Sequence, residues 1–218
     1  MRKIKPMHDL EEIAERIHAS FEARTAARDK ILSQARTLTR HCANAIRAIH
    51  RDETALAQED LVQAEILVNG FQHVKIEYPD LYYAGYTQDA LKEYAEASIV
   101  CALLMNLDLP SPEDLRVEFA TYLQGLAEAV GELRRRCLDD LLHEHPAEAV
   151  RLLEHMDDFY AILVSMDYPD AITGGLRRLT DLARSIIERT RGDLTLSLRQ
   201  EKLEQSLHRL ETKLNDPE

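Results

Sequence analysis

The sequence has no tryptophan, and only seven glycines and seven prolines among 218 residues. Scarce chain breakers leave few places to turn, and leucine, alanine, glutamate and arginine dominate the rest, residues that enter helices at little cost. Runs of roughly four to eight alternating β-branched residues are missing, as are internal repeats and low-complexity stretches, so neither a sheet nor a solenoid is expected. No stretch of about 18 uncharged apolar residues exists, which argues against a membrane span, and the segment from Met1 to Leu10 lacks the apolar core of a secretory signal. The cysteines are three, Cys42, Cys101 and Cys137, far apart and each within an apolar helical pattern. That suits reduced core thiols rather than a disulfide framework or a zinc site, and the expected address is cytoplasmic. Glycine-rich phosphate loops, paired cysteine ligands and conventional nucleophile motifs are also absent.

What is present is helical periodicity. It predicts helices over about 7–50, 54–74, 87–107, 112–143, 146–166 and 173–214, the last with a break near Gly192-Asp193, followed by a disordered tail over 214–218. Pro79, Pro110, Pro146 and Pro169 punctuate this pattern. The expected architecture is all-α, one domain spanning 1–218 and built from six to seven long helices.

The net charge is −12, which argues against a nucleic-acid partner until its distribution is read. Between Arg24 and Arg51 there are seven basic residues and one acid, Asp29, so this segment carries +6 and the remainder −18. At 100° per residue, Arg36, Arg40, Arg47 and Arg51 fall within an arc of about 60°, while Ile31, Leu38, Cys42, Ala45, Ile46 and Ile49 cluster opposite. A plain solvated face usually mixes both signs at i, i+4 spacing; this one is of a single sign. Guanidinium groups about 6 Å apart along a helix match the spacing of phosphates along a single strand.

A second constellation is acidic. Glu93 and Glu96 share a helix face with Val100, Leu103 and Leu107, so two carboxylates stand where that helix otherwise packs. A first-turn preference of acids for the helix dipole would account for them singly. On the next helix, however, Glu128 and Glu132 are four apart and are flanked by Gly125 and Gly131. Glycine in mid-helix is unfavourable by about 1 kcal/mol unless a backbone or ligand must approach closely. Read as joined by a short loop, the two helices are expected to pack antiparallel and bring the four carboxylates together. Such a group does not stay fully ionised without a cation, and oxygen-only ligation suits Mg²⁺ or Mn²⁺. A di-iron bundle would need Glu-x-x-His on two helices, and only Glu15-Arg16-Ile17-His18 matches.

The segment Gln88-Asp89-Ala90-Leu91-Lys92-Glu93-Tyr94-Ala95-Glu96-Ala97 resembles the acid-bearing helix of Trax. Tyr122-Leu123-Gln124-Gly125-Leu126-Ala127-Glu128-Ala129-Val130-Gly131-Glu132-Leu133-Arg134-Arg135-Arg136-Cys137 is similar to a second Trax helix, and Ala45-Ile46-Arg47-Ala48-Ile49-His50-Arg51 to the basic helix of prokaryotic Trax-like proteins. The likeness covers about 30–140 and points to the catalytic, Trax-like branch of the translin/Trax family. It implies an all-α protomer in a hollow homo-oligomer, octamer-like, whose interior binds single-stranded RNA or DNA. It further implies a Mg²⁺- or Mn²⁺-dependent endoribonuclease, with Glu93, Glu96, Glu128 and Glu132 as catalytic metal ligands and Arg36, Arg40, Arg47 and Arg51 on the RNA. Glu128 stands where the Trax pattern has Asp, which carries the carboxylate one methylene further out. The competing expectation is a translin-like scaffold that binds nucleic acid without cutting it.

Overall fold

The computed structural model describes residues 8–215, and these are helical apart from short connections, with no strand among them. Six long helices carry the architecture: α1 (His8–His50), α2 (Thr54–Glu77), α4 (Gly85–Leu104), α6 (Phe119–Leu142), α7 (Pro146–Ser165) and α9 (Leu176–Asn215). Three four-residue helices, α3 (Pro79–Tyr82), α5 (Pro112–Leu115) and α8 (Asp170–Thr173), sit in the connections. α9 passes through Gly192 without interruption and reaches Asn215, so the expected break is absent. Residues 216–218 of the expected tail lie outside the described residues. No helix among those described is long and apolar enough to cross a membrane.

The apolar stripe of α1 packs as its spacing requires, with Ile31, Leu38, Cys42, Ala45, Ile46 and Ile49 all buried. Leu38, Phe71, Tyr82 and Leu91 form one apolar cluster among α1, α2, α3 and α4. A second joins the later part of α4 to α6, α7 and α9 through Ile99, Leu133, Leu152, Met156 and Leu176. Helix α4 therefore belongs to both clusters, and all its residues from Tyr94 to Leu103 are buried. The three thiols are buried in these clusters, and desolvation pushes Cys101 and Cys137 up to about 12, unreactive as nucleophiles.

One expectation is corrected. Helices α4 and α6 run parallel, since Gln88 meets Thr121, Ala95 and Glu96 meet Gly125, and Lys92 meets Glu128. The chain returns between them along α2: Met105 lies at Gln58, Arg116 at Asn69 and Gln72, and Glu118 at Lys75. What looked like one helix from Pro112 is thus two. Ser111 and Asp114 form a capping box that starts α5, but Arg116 adopts a left-handed backbone with φ 55° and ends it after one turn. Leu115 and Val117 are buried against α2 and α4, so tertiary packing rather than a local breaker imposes the interruption.

Two helix halves project beyond this packing. In α1, Leu10, Ile13, Ile17 and Phe21 recur at three- and four-residue spacing and are all exposed, as are Leu196, Leu203, Leu207 and Leu210 in α9. Glu15 and His18, the lone Glu-x-x-His, stand exposed on the projecting half of α1.

Candidate functional site

Parallel packing of α4 on α6 is closest at Gly125. A Cβ built there would lie 2.8 Å from Ala95 Cβ, 2.9 Å from the Glu96 nitrogen and 2.9 Å from the Lys92 carbonyl oxygen. Only glycine lets the two backbones meet so closely, and the contact sits one turn from Glu128. Gly131, by contrast, faces open space.

The close approach brings carboxylates together. One oxygen each from Glu93, Glu96 and Glu128 lie within 4.8 Å of one another, and this is the one such cluster of potential metal ligands among the described residues. Glu96 is 9% exposed and makes no hydrogen bond or ion pair among the described residues. Burial, then the charges of Glu93, Glu128 and Glu132, push its carboxyl up to about 8. Burial also raises Glu93, against the lowering influence of Lys92. An all-oxygen, anionic and crowded donor set of this kind fits a hard divalent cation, and Glu93, Glu96 and Glu128 could share one.

The fourth acid stands at the rim. Glu132 accepts a hydrogen bond from His50 Nε2 at 2.7 Å, with Arg135 at 3.8 Å. The His50 bond holds its carboxyl below the ordinary range although it is half-buried, so Glu132 gives up its proton more readily than Glu96.

Two residues of the site escaped the sequence reading. Lys92 extends its ammonium to Glu128 at 2.7 Å and Glu93 at 3.6 Å, and although burial opposes its charge, the Glu128 bond raises it above the usual lysine range. His50, at the last position of α1, is 2% exposed in its side chain and crosses to α6. The signals available were the adjacency of Lys92 to Glu93, and a histidine at the border of the arginine stripe and the apolar face.

Arg36, Arg40 and Arg47 are exposed on α1, and Arg51 is exposed in the turn just after it. Arg36 and Arg40 make no ion pair among the described residues, whereas Arg47 bonds Asn44 and Arg51 bonds Glu53 at 3.0 Å through Nε. The stripe meets the acidic cluster at Arg36, which lines a pocket of about 480 Å³ between α1 and α4 together with Asp89 and Glu93.

Fold and site together define an all-helical protein with an acidic centre between two parallel helices and a basic helix face beside it. No protein-family model matches the chain. The uncharacterized protein MJ0175 of Methanocaldococcus jannaschii is 30% identical over 192 residues, 87% of this chain and 85% of its own. Among solved structures, AfC3PO in its complex with duplex RNA is 33% identical at a TM-score of 0.79, covering 88% of this chain and 97% of that one. Apo-NeC3PO, 19% identical at a TM-score of 0.77 and covering 89% and 99%, shares the fold. The chain belongs to the translin/Trax-like family, to which the C3PO proteins also belong.

Proposed function

We propose that this protein binds RNA along α1 and cleaves it by hydrolysis, at a Mg²⁺ or Mn²⁺ centre held by Glu93, Glu96 and Glu128 with Glu132 at its edge. The observation that carries the reading is the trio of carboxylates within 4.8 Å, one of them buried without any partner, on the line of the arginine stripe. The AfC3PO complex with duplex RNA supports RNA as the ligand.

The bound cation supplies neutralisation of charge at the phosphodiester and electrophilic activation of phosphate and water. Glu96 and Glu93 from α4 and Glu128 from α6 offer it one oxygen each. Glu132, one turn beyond Glu128, takes the proton of the attacking water as its oxygen bonds to phosphorus and the P–O bond to the leaving strand breaks; the leaving oxygen takes up a proton from solvent, and Glu132 returns its own to solvent. Arg36, which lines a pocket with Glu93, holds a neighbouring phosphate, and Arg40, Arg47 and Arg51 continue the track along the backbone. The exposed apolar stripes on α1 and α9 are proposed to be covered by further copies in a closed homo-oligomer, the octamer that the family resemblance implies.

A second reading has its own observation. Lys92 already places an ammonium among the carboxylates, which would suit a binding protein that needs no cation. Labelled single-stranded RNA, duplex RNA and single-stranded DNA, each incubated with Mg²⁺ or Mn²⁺ or with excess chelator, separate the two. Cleavage of single-stranded RNA that chelator abolishes supports the nuclease; binding without cleavage in any metal supports the scaffold.

A further inference from the structure

Helices α1 and α6 each pack along α4 and scarcely touch one another. They are nevertheless tied at one end of the site by two polar contacts. His50 reaches Glu132 at 2.7 Å, and one turn further along α6, Arg136 bridges Asp52 at 2.8 Å and the buried Asp140 at 3.0 Å. Of these contacts, the first bears on the carboxylate centre.

We propose that His50 is a positioning residue, its Nε2–H holding Glu132 in the orientation that keeps this fourth carboxylate beside Glu93, Glu96 and Glu128. Left alone, Glu132 has reason to turn outward. It is partly exposed, the more exposed Arg135 lies 3.8 Å away on the same helix, and its charge couples unfavourably to Glu96. A hydrogen bond from a side chain that is itself 2% exposed and locked at a helix end opposes all three. The carboxylate accepts, so Nε2 carries the proton it donates, and Nδ1 is the ring's other polar atom.

That atom is the second observation. His50 Nδ1 is buried and has no partner in the protein. No second partner therefore competes for the ring, and Glu132 is the one hydrogen-bond partner of the His50 side chain among the described residues. The His50 residue also lines a polar cavity of about 460 Å³ with Asp52, Arg136, Asp139, Asp140, His143 and His145. The single polar contact of His50 is thus directed at the carboxylate centre, and its role is to position Glu132 rather than to touch substrate or cation.

This inference rests on the cation-centre reading, and its test separates the two. Mn²⁺ binding is measured by calorimetry on the wild-type protein, His50→Leu, His50→Gln and Glu132→Ala, beside RNA affinity in chelator and steady-state cleavage in Mn²⁺. Loss of the donor is expected to weaken Mn²⁺ binding and lower kcat by roughly 10- to 100-fold, with KM and chelator-state RNA affinity unchanged. Glutamine, whose amide nitrogen reaches about where Nε2 lies, should restore most of both. The His50→Leu, Glu132→Ala double variant should fall no further than either single change. Should leucine prevent folding, His50→Asn, polar but too short to reach, replaces it in the comparison with glutamine. Unaltered Mn²⁺ affinity in the leucine or asparagine variant, with the wild type binding normally, overturns the role of His50 alone, as does glutamine performing no better than they do. A wild-type protein that binds no Mn²⁺ overturns the cation centre and this role together.

Discussion

Replacing Gly125 with alanine tests whether the α4–α6 contact is what assembles the site. The added methyl would stand 2.8–2.9 Å from three atoms, two of them backbone of α4, so no side-chain rotation relieves it and the helices must part. Overpacking of this kind destabilises by about 1–3 kcal/mol, and the better helix propensity of alanine returns at most about 1 kcal/mol. Because backbone atoms are struck, the cost is expected in the upper half of that range, about 2–3 kcal/mol, and the net loss of about 1–2 kcal/mol lowers the melting temperature by roughly 2–8 °C for a chain of this length. Gly131→Ala is the internal control: nothing lies within 4 Å of its Cβ, so propensity acts alone and the variant should gain up to about 1 kcal/mol. Urea and thermal unfolding followed by circular dichroism, in chelator, measure both. Moving Glu128 away from Glu96 should also weaken Mn²⁺ binding in Gly125→Ala but not in Gly131→Ala. A Gly125→Ala protein as stable as the wild type, or more so, would refute the claim that this glycine sets the helix separation.

Three further expectations follow from the same geometry. Glu96 should make metal-free stability fall with rising pH: unfolded, its carboxyl ionises near 4.5, whereas folded it keeps its proton up to about 8, so the folded state binds more protons across that window. Wild-type minus Glu96→Gln stability, from urea melts in chelator at pH 5, 6.5 and 8.5, should therefore decline by a few kcal/mol, and a flat difference would show that Glu96 is not perturbed. Replacing Arg36, Arg40, Arg47 and Arg51 together with alanine should weaken RNA binding and reduce its salt slope by roughly 0.7 to 0.9 per lost phosphate contact, with helicity retained; an unchanged slope assigns the stripe to solvation or a subunit contact. Light scattering should report a closed multiple of the 25.0 kDa chain, and Leu203→Glu with Leu207→Glu should lower that mass, whereas a wild-type monomer would remove the assembly.

Much of this was legible in one dimension because helices report their buried face by period. The split of α1 into an arginine side and a side holding Leu38, Cys42 and Ile49 needed no tertiary information, and neither did the pairing of Glu93 with Glu96 or the suspicion attached to Gly125. Direction was not legible. The parallel course of α4 and α6 depends on Arg116 taking a left-handed backbone, which arginine adopts only because Leu115 and Val117 are drawn into the core on either side. No glycine or proline at that point marks the turn. His50 and Lys92 were missed for a related reason. Their partners lie 82 and 36 residues away, and a helical wheel compares a residue only with its own helix. Gly131 was read alongside Gly125 as a close-approach position and proved to face open space.

The proposed cleavage depends on a cation held by Glu93, Glu96 and Glu128, and the Glu96→Gln substitution decides whether that centre exists. The amide keeps the side chain's shape in its buried position and removes the charge a hard cation requires. Labelled single-stranded RNA should be cut by the wild-type protein in Mn²⁺ and left intact in chelator. The Glu96→Gln protein should bind the same RNA in chelator with wild-type affinity, bind Mn²⁺ more weakly and leave the RNA uncut. Cleavage by Glu96→Gln at the wild-type rate, or wild-type cleavage that survives excess chelator, would contradict it.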